Sequence, residues 1–328
     1  MKKNIIIKRL YVLVFASLMA AVAVMPVLAA ERQYEWSNVA RIVAVGDVHG
    51  DYDKMVKCMK ANRVIDGSNK WIGGKTHLVQ TGDILDKGPE SKKAMDLLMD
   101  LEQQATAAGG AVHSLIGNHE SFILRGRYDS LYRTEPESYG GMEAFKKVMA
   151  ADGKYGQWIR SHNTVIKIND ILFLHGGLSP RYAVKSLQTL NKEVVESLGR
   201  DVAEDRDGPL LTRDMGEGDE NKVKAALEPA IKNFGIRHIV IGHTVTSSKV
   251  IQLKADGAVI MIDVGMSRTN DPNNPTGGPA MSLLIENGKF YSVTPEEKKE
   301  LPVKQNVSVS DISRWYRLSY AQVALVGV

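Results

Sequence analysis

The sequence holds a single cysteine, Cys58, in 328 residues. With no second thiol there is no intramolecular disulfide, so the fold must rest on its apolar core or on bound metal. Cys58 sits among Met55, Val56 and Met59 at helical spacing, which reads as a buried structural thiol rather than a nucleophile. Excess charge of one sign is also nearly missing. The formal charge of +4 traces to Lys2, Lys3, Lys8 and Arg9, and without residues 1–29 it falls to zero. No basic cluster survives beyond that segment, so no nucleic-acid partner is expected, and no membrane contact beyond the N-terminal segment. Internal repeats, low-complexity tracts and a second domain boundary are absent as well.

What is present begins at the N-terminus. Four basic residues precede the apolar run "LYVLVFASLMAAVAV", and "MPVLAA" then supplies small residues in a V-x-A pattern. This order predicts a secretory signal peptide over 1–29, cleaved after Ala29, and hence a periplasmic or secreted protein. The other option is an uncleaved anchor, since Leu10–Leu28 is nearly long enough to span a bilayer. Hydrophobic residues at 44% and charged residues at 24% fit a globular domain with a sizeable core. The expected layout is a catalytic domain over 39–295 and a C-terminal extension, 296–328, packed on it.

Five short β-rich runs each end on a polar tip beside glycine. "RIVAV" (41–45) runs into "GDVHG" (46–50), and "HLVQT" (77–81) into "GDILDKG" (82–88). "AVHSLI" (111–116) leads to "GNHE" (117–120), "DILFL" (170–174) to "HGGLSP" (175–180), and "RHIVI" (237–241) to "GHT" (242–244). Apolar spacing predicts a helix over about 51–63. Pro89 in a first helical position predicts another to about Ala108, closed by Gly109 and Gly110. Strand, polar tip and helix in alternation is the pattern of an α/β domain, whose ligands gather at the carboxyl ends of its strands.

Those tips deliver Asp47, His49, Asp83, Asn118, His175 and His243. Hard oxygen mixed with imidazole suits Mn²⁺, Fe or Zn²⁺ better than Mg²⁺ or Ca²⁺. Six protein ligands are too many for one ion with an open position; they fit two divalent ions that share a bridging carboxylate. The sequence therefore predicts a two-metal hydrolase. Singly the motifs are weak, because Asp-x-His and Gly-Asp are ordinary turns. "GNHE" is more specific, with an amide, an imidazole and a carboxylate crowded onto one tight turn. Their joint occurrence at five strand ends carries the prediction. His77, His113 and His238 lie in or beside apolar runs and read as strand residues with satisfied ring nitrogens. His162 has no evident partner.

In this order the motifs resemble the phosphoprotein phosphatase family of binuclear metallophosphatases, whose pattern is GDxHG, GDxxDRG, GNHE, HGG and a late GH. The resemblance covers roughly Arg41 to Met266, and "IDVGMS" (262–267) is similar to its bacterial and Shewanella-like branch. It implies an α/β fold of the metallophosphoesterase type: a β-sandwich flanked by helices, with the metal site at strand carboxyl ends. It implies that Asp47 and His49 bind the first metal, that Asp83 bridges, and that Asn118, His175 and His243 complete the second. His119 is then left as general acid, with Asp86 holding and orienting its imidazolium. The expected reaction is attack of a metal-bridging hydroxide, with Mn²⁺ the foremost metal and Fe or Zn²⁺ the others. The expected substrate is a phosphorylated protein or peptide, carrying phosphotyrosine, phosphoserine or phosphothreonine.

One position departs from the family. Lys87 stands where its motif has arginine, keeping the charge but losing the planar two-donor grip on phosphate. Phosphate binding is therefore expected from Lys87 with help from Arg213 in "PLLTRDM" or Arg125 in "FILRGR". A symmetrical dinucleoside tetraphosphatase shares these motifs, but export argues against it. A non-catalytic metal-stabilised binding protein would have no use for an unligated imidazole with its own carboxylate. Residues 120–165 and 181–232 read as helix-compatible insertions that wall the cleft. "SRTNDPNNPTGGP" (267–279) reads as a surface loop, and "TPEEKKELP" (294–302) as a charged, mobile link.

Overall fold

The computed structural model of the chain describes residues 32–198, 204–267 and 276–305. The first half runs β1 (Glu35–Trp36), β2 (Arg41–Val45), α1 (Tyr52–Ala61), β3 (His77–Gln80), α2 (Ser91–Ala107) and β4 (Ala111–Ser114). Next come α3 (Asn118–Leu124), α4 (Met142–Met149), α5 (Lys154–Arg160), β5 (Val165–Ile168) and β6 (Ile171–Leu174). After these follow α6 (Pro180–Ala183), α7 (Leu187–Ser197), α8 (Glu220–Phe234), β7 (His238–Ile241), β8 (Gln252–Lys254) and β9 (Val259–Met261). The strands β10 (Ser282–Glu286), β11 (Lys289–Val293) and β12 (Lys298–Glu300) end the described chain.

The strands form two six-stranded sheets, ordered β12-β11-β10-β2-β3-β4 and β1-β5-β6-β7-β9-β8. This is the helix-flanked sandwich that the sequence predicts. The continuous apolar runs are explained by burial on both faces. On β7, Val240 joins Phe173 and Ile260 in the larger core, while Ile239 and Ile241 face Ala226, Leu227 and Ala230 of α8 in a second one. Register then levels the strand ends. Val45 pairs with Gln80 and Gln80 with Ser114 in one sheet; Leu174 pairs with Ile241 and Ile241 with Met261 in the other. Within each sheet the loops after the three parallel strands therefore leave at one level, and the Asp47 carboxylate, accepting from His243 N–H, joins the two sets.

Several boundaries differ from expectation. Pro89 does not open α2, which begins at Ser91. The backbone N–H of Glu90 instead donates to Gly50 O at 3.1 Å, so this stretch ties two site loops together. The "link" over 294–302 carries β12, which pairs antiparallel with β11, and Val303 beyond it joins the core. Its Lys and Glu side chains are those of an exposed sheet edge. Cys58 is buried, and burial pushes its thiol up to about 12, as a structural role requires. His238 Nδ1 donates to Gly257 O at 2.9 Å, His77 and His113 share a bond of 3.0 Å, and His162 Nε2 lies 3.3 Å from a Glu102 oxygen. The segment read as a signal peptide (1–29), residues 268–275 of the expected loop and residues 306–328 of the expected extension lie outside the described residues. Among the described residues, no helix is long and apolar enough to cross a membrane.

Candidate active site

The loops after β2 and β3 are bonded to each other before any side chain is considered. Val48 N and His49 N donate to Asp83 O at 3.0 and 2.9 Å, and Gly50 N donates to Ile84 O at 2.8 Å. A Cβ on Gly117 would sit 2.2 Å from Asp83 Oδ1, so only glycine lets the β4 loop approach this closely. His49, Asp83, Lys87 and His243 adopt left-handed backbone conformations, with φ of 44°, 57°, 61° and 61°. Such conformations cost about 1–2 kcal/mol each in a non-glycine residue and persist where the surroundings over-determine them. "GNHE" is not the tight turn expected; Asn118, His119 and Glu120 form the first turn of α3.

Asp83 lies at the middle of the cluster. Its Oδ2 is 3.4 Å from His49 Nε2, 3.4 Å from His175 Nε2 and 3.9 Å from His119 Nε2. It belongs to both groups whose donor atoms lie within 4.8 Å of one another: His49, Asp83 and His119, and Asp83, His175 and His243. Asp47 Oδ2 is 3.9 Å from His49 Nε2, and Asp47 also accepts from the backbone N–H of His243 at 3.1 Å. Asn118 Oδ1 is 2.8 Å from His175 Nε2. Distance alone thus admits His119 beside the six predicted ligands.

The imidazoles are held in two different ways. His49 Nδ1 meets Leu85 O at 3.2 Å, His175 Nδ1 meets Thr81 O at 2.9 Å, and His243 Nε2 meets Leu211 O at 3.2 Å. A backbone carbonyl on one nitrogen fixes the N–H there and turns the other nitrogen inward, the usual support for a metal-ligating histidine. Burial and the neighbouring Lys87 ammonium hold His49 well below the ordinary imidazole range. Burial and His175 take His243 down to about 3. His175 goes the other way: burial lowers it, but Asp83 and Asp47 outweigh that and raise it to about 9. His119, by contrast, has Nδ1 on a carboxylate, Asp86 Oδ2, at 2.6 Å.

Two acidic residues matter here that the sequence reading did not assign. Asp263, just past β9, is buried, hydrogen-bonds Asp47 and lines the same cavity. Burial, then the Asp263 charge, pushes Asp47 well above the carboxylate range, while burial likewise raises Asp263. Asp83 is pushed up by burial too, yet His175 and His119 more than offset this and leave it well below its usual value. Three buried carboxylates facing inward-turned imidazoles make a donor set that divalent cations of the Mn, Fe or Zn type satisfy. Glu120 serves the backbone: its two oxygens accept from the N–H groups of Asp83, Gly117 and Ile84 at 2.8 Å each. An apolar run ending on Asp was the available signal for Asp263; nothing local in the sequence singles out Glu120.

The resulting cavity, about 350 Å³, is lined by Asp47, Asp83, Asn118 and His119 among others, and by three cations: Lys87, Arg213 and Lys249. Lys87 Nζ lies 2.9 Å from His49 Nε2, and Arg213 donates to His243 O at 3.2 Å. Arg125 does not line the cavity, contrary to expectation. It forms an ion pair with Glu204 at 2.8 Å. Lys249, absent from the predicted set, takes the third position, and its own φ is 56°.

Comparison with known proteins agrees with this arrangement. A family model described as calcineurin-like phosphoesterase matches residues 40–247. Shewanella-like protein phosphatase 2 of Arabidopsis thaliana is 28% identical over 289 residues, covering 72% of this chain and 74% of the relative. Shewanella-like protein phosphatase 1 of Plasmodium berghei is 26% identical, covering 82% and 78%. The crystal structure of a cold-active protein-tyrosine phosphatase from a psychrophilic Shewanella species superposes with a TM-score of 0.72 at 28% identity, covering 82% of each chain.

Proposed function

The chain belongs to the calcineurin-like phosphoesterase family, and we propose that it hydrolyses phosphate monoesters on proteins and peptides at a centre of two divalent cations. The observation that carries this is Asp83, common to two groups of metal-competent side chains, with the His119–Asp86 pair at their margin. Asp47 and His49 would hold the first ion, Asn118, His175 and His243 the second, with Asp83 placed to serve both. When bound, the cations supply positive charge to the phosphoryl oxygens and an activated water as nucleophile. Mn²⁺ is the proposed metal, with Fe and Zn²⁺ compatible with the same donors.

The chain's own groups do the rest. Lys87, Arg213 and Lys249 surround the cavity and neutralise phosphate oxygens as charge builds on them. His119, anchored through Nδ1, presents Nε2 to the leaving oxygen and gives it a proton. Asp86 fixes the ring so that Nε2 stays aimed at that position. The Phe122 ring lies edge to face with His119 at 5.4 Å, an apolar surface against which a phenolic leaving group can rest. Its place there, and the likeness to a protein-tyrosine phosphatase, support phosphotyrosine as the preferred residue.

The basic, apolar and small-residue order of residues 1–29 supports export to the periplasm. Mass spectrometry of the mature protein tests it, with an N-terminus at Ala30 expected and retention of Met1 contradicting cleavage. The activity is tested by phosphate release from phosphotyrosine and phosphoserine peptides before and after chelation. Faster metal-dependent release from phosphotyrosine is expected; equal release from both would remove the preference.

A further inference from the structure

A second groove, about 660 Å³, opens beside the catalytic cavity and shares Asn118, Arg213 and His243 with it. Its other walls are Phe122, Arg127, Glu204, Arg206 and Leu211. Three guanidinium groups line it against one carboxylate; Arg213 also pairs with Glu217 at 3.2 Å and Arg127 lies 3.8 Å from Asp129, so Arg206 is the positive charge left for a ligand. That carboxylate is already engaged: Glu204 Oε2 accepts from Arg125 at 2.8 Å and from Arg127 at 3.1 Å. The Arg127 guanidinium also lies over the Phe122 ring, 4.2 Å from its centroid. Bonded at one edge and stacked on one face, it is ordered before any ligand arrives, which lowers the entropy lost on binding. Arg206 is exposed and forms no ion pair with another described residue. Because Phe122 also touches His119, the groove begins at the reacting centre.

We propose that this groove reads acidic residues flanking the phosphorylated one, so that the enzyme favours phosphoproteins with Asp or Glu beside the phosphosite. The inference rests on the phosphatase assignment and narrows its substrate class. A carboxylate meets a guanidinium in two parallel hydrogen bonds, and Arg127 and Arg206 offer two such places along the groove wall. The groove is open to solvent, so each engaged carboxylate is worth up to about fivefold in kcat/KM. A basic flank would instead be repelled by Arg206.

The test compares phosphopeptides of equal length whose flanking positions carry Glu or Ala, placed on each side in turn, with the metal-loaded enzyme. The acidic peptide is expected to show a lower KM at similar kcat, with kcat/KM raised up to about fivefold per engaged carboxylate and the advantage shrinking as salt is added. Arg206→Glu should collapse the ratio between acidic and neutral peptides. Arg127→Lys, which keeps the charge but loses the stack and fork, should reduce it in part. Equal kcat/KM for the two peptides, or a preference that survives Arg206→Glu, overturns the groove's role and leaves the phosphatase assignment standing. Failure to turn over either peptide overturns both.

Discussion

Asp86 Oδ2 accepts a hydrogen bond from His119 Nδ1 at 2.6 Å, and both side chains are buried. The three other imidazoles of the centre are anchored on neutral backbone carbonyls. This contrast supports the proposed roles, His119 as the proton donor and the others as ligands. His119→Asn is expected to retain metal, by elemental analysis, and to lose about 10²–10⁴ in kcat on an alkyl phosphate. The loss on p-nitrophenyl phosphate should be smaller, because its leaving group is already acidic. A variant as fast as the parent on the alkyl ester would remove His119 from the reaction.

Glu120 holds the site's backbone rather than its substrate. Replacing it with Gln sets an amide N–H₂ against backbone N–H donors that now point at a carboxylate. Glu120→Gln is expected to lower stability by about 3 kcal/mol in urea unfolding and to weaken metal retention. Unchanged unfolding midpoint and slope would show that the loop holds itself.

His175 gives a pH dependence with a definite sign. Its proton is held to about 9 against an ordinary 6.5, so in the metal-free protein this stabilisation is full below 6.5 and fades as pH rises through 9. A cation needs the same nitrogen's lone pair. Between those limits metal binding should release about one proton from this group, and apparent affinity should climb by up to tenfold per pH unit. Calorimetry in buffers of different ionisation enthalpy reads the proton directly. Affinity that stays flat across the window would contradict the assignment.

His113 behaves oppositely, far from the centre. Burial, then His77, takes it down to about 3, and the Trp36 ring covers it with centroids 4.3 Å apart. A depressed value means that its stabilisation is present above 6.5 and is lost as pH falls toward 3. The acid limb of stability should fall by up to about 1.4 kcal/mol per pH unit from this group. In chelated protein, His113→Gln should flatten that limb relative to the parent; parallel limbs would assign the acid sensitivity elsewhere.

The sequence made the sandwich and the convergence of the six proposed ligands legible because each follows a short apolar run that ends at the site. Packing of the two sheets on a shared core, which the sequence does not encode locally, is what brings Asp47 and His243 into contact across 196 positions. Asp263 follows the same strand-then-Asp pattern and was within reach. Lys249 and Glu120 were not, since their roles come from tertiary neighbours rather than spacing. Arg125 is close to "GNHE" in sequence, yet it stands at the far end of α3 and pairs with Glu204.

The most direct test strips the mature chain of metal, then follows bound metal and phosphate release from a phosphopeptide as Mn²⁺ is returned. The expected result is no release by the stripped protein and full release once two equivalents are bound. Release that ignores chelation would contradict the proposed centre, and so would two bound metals without turnover.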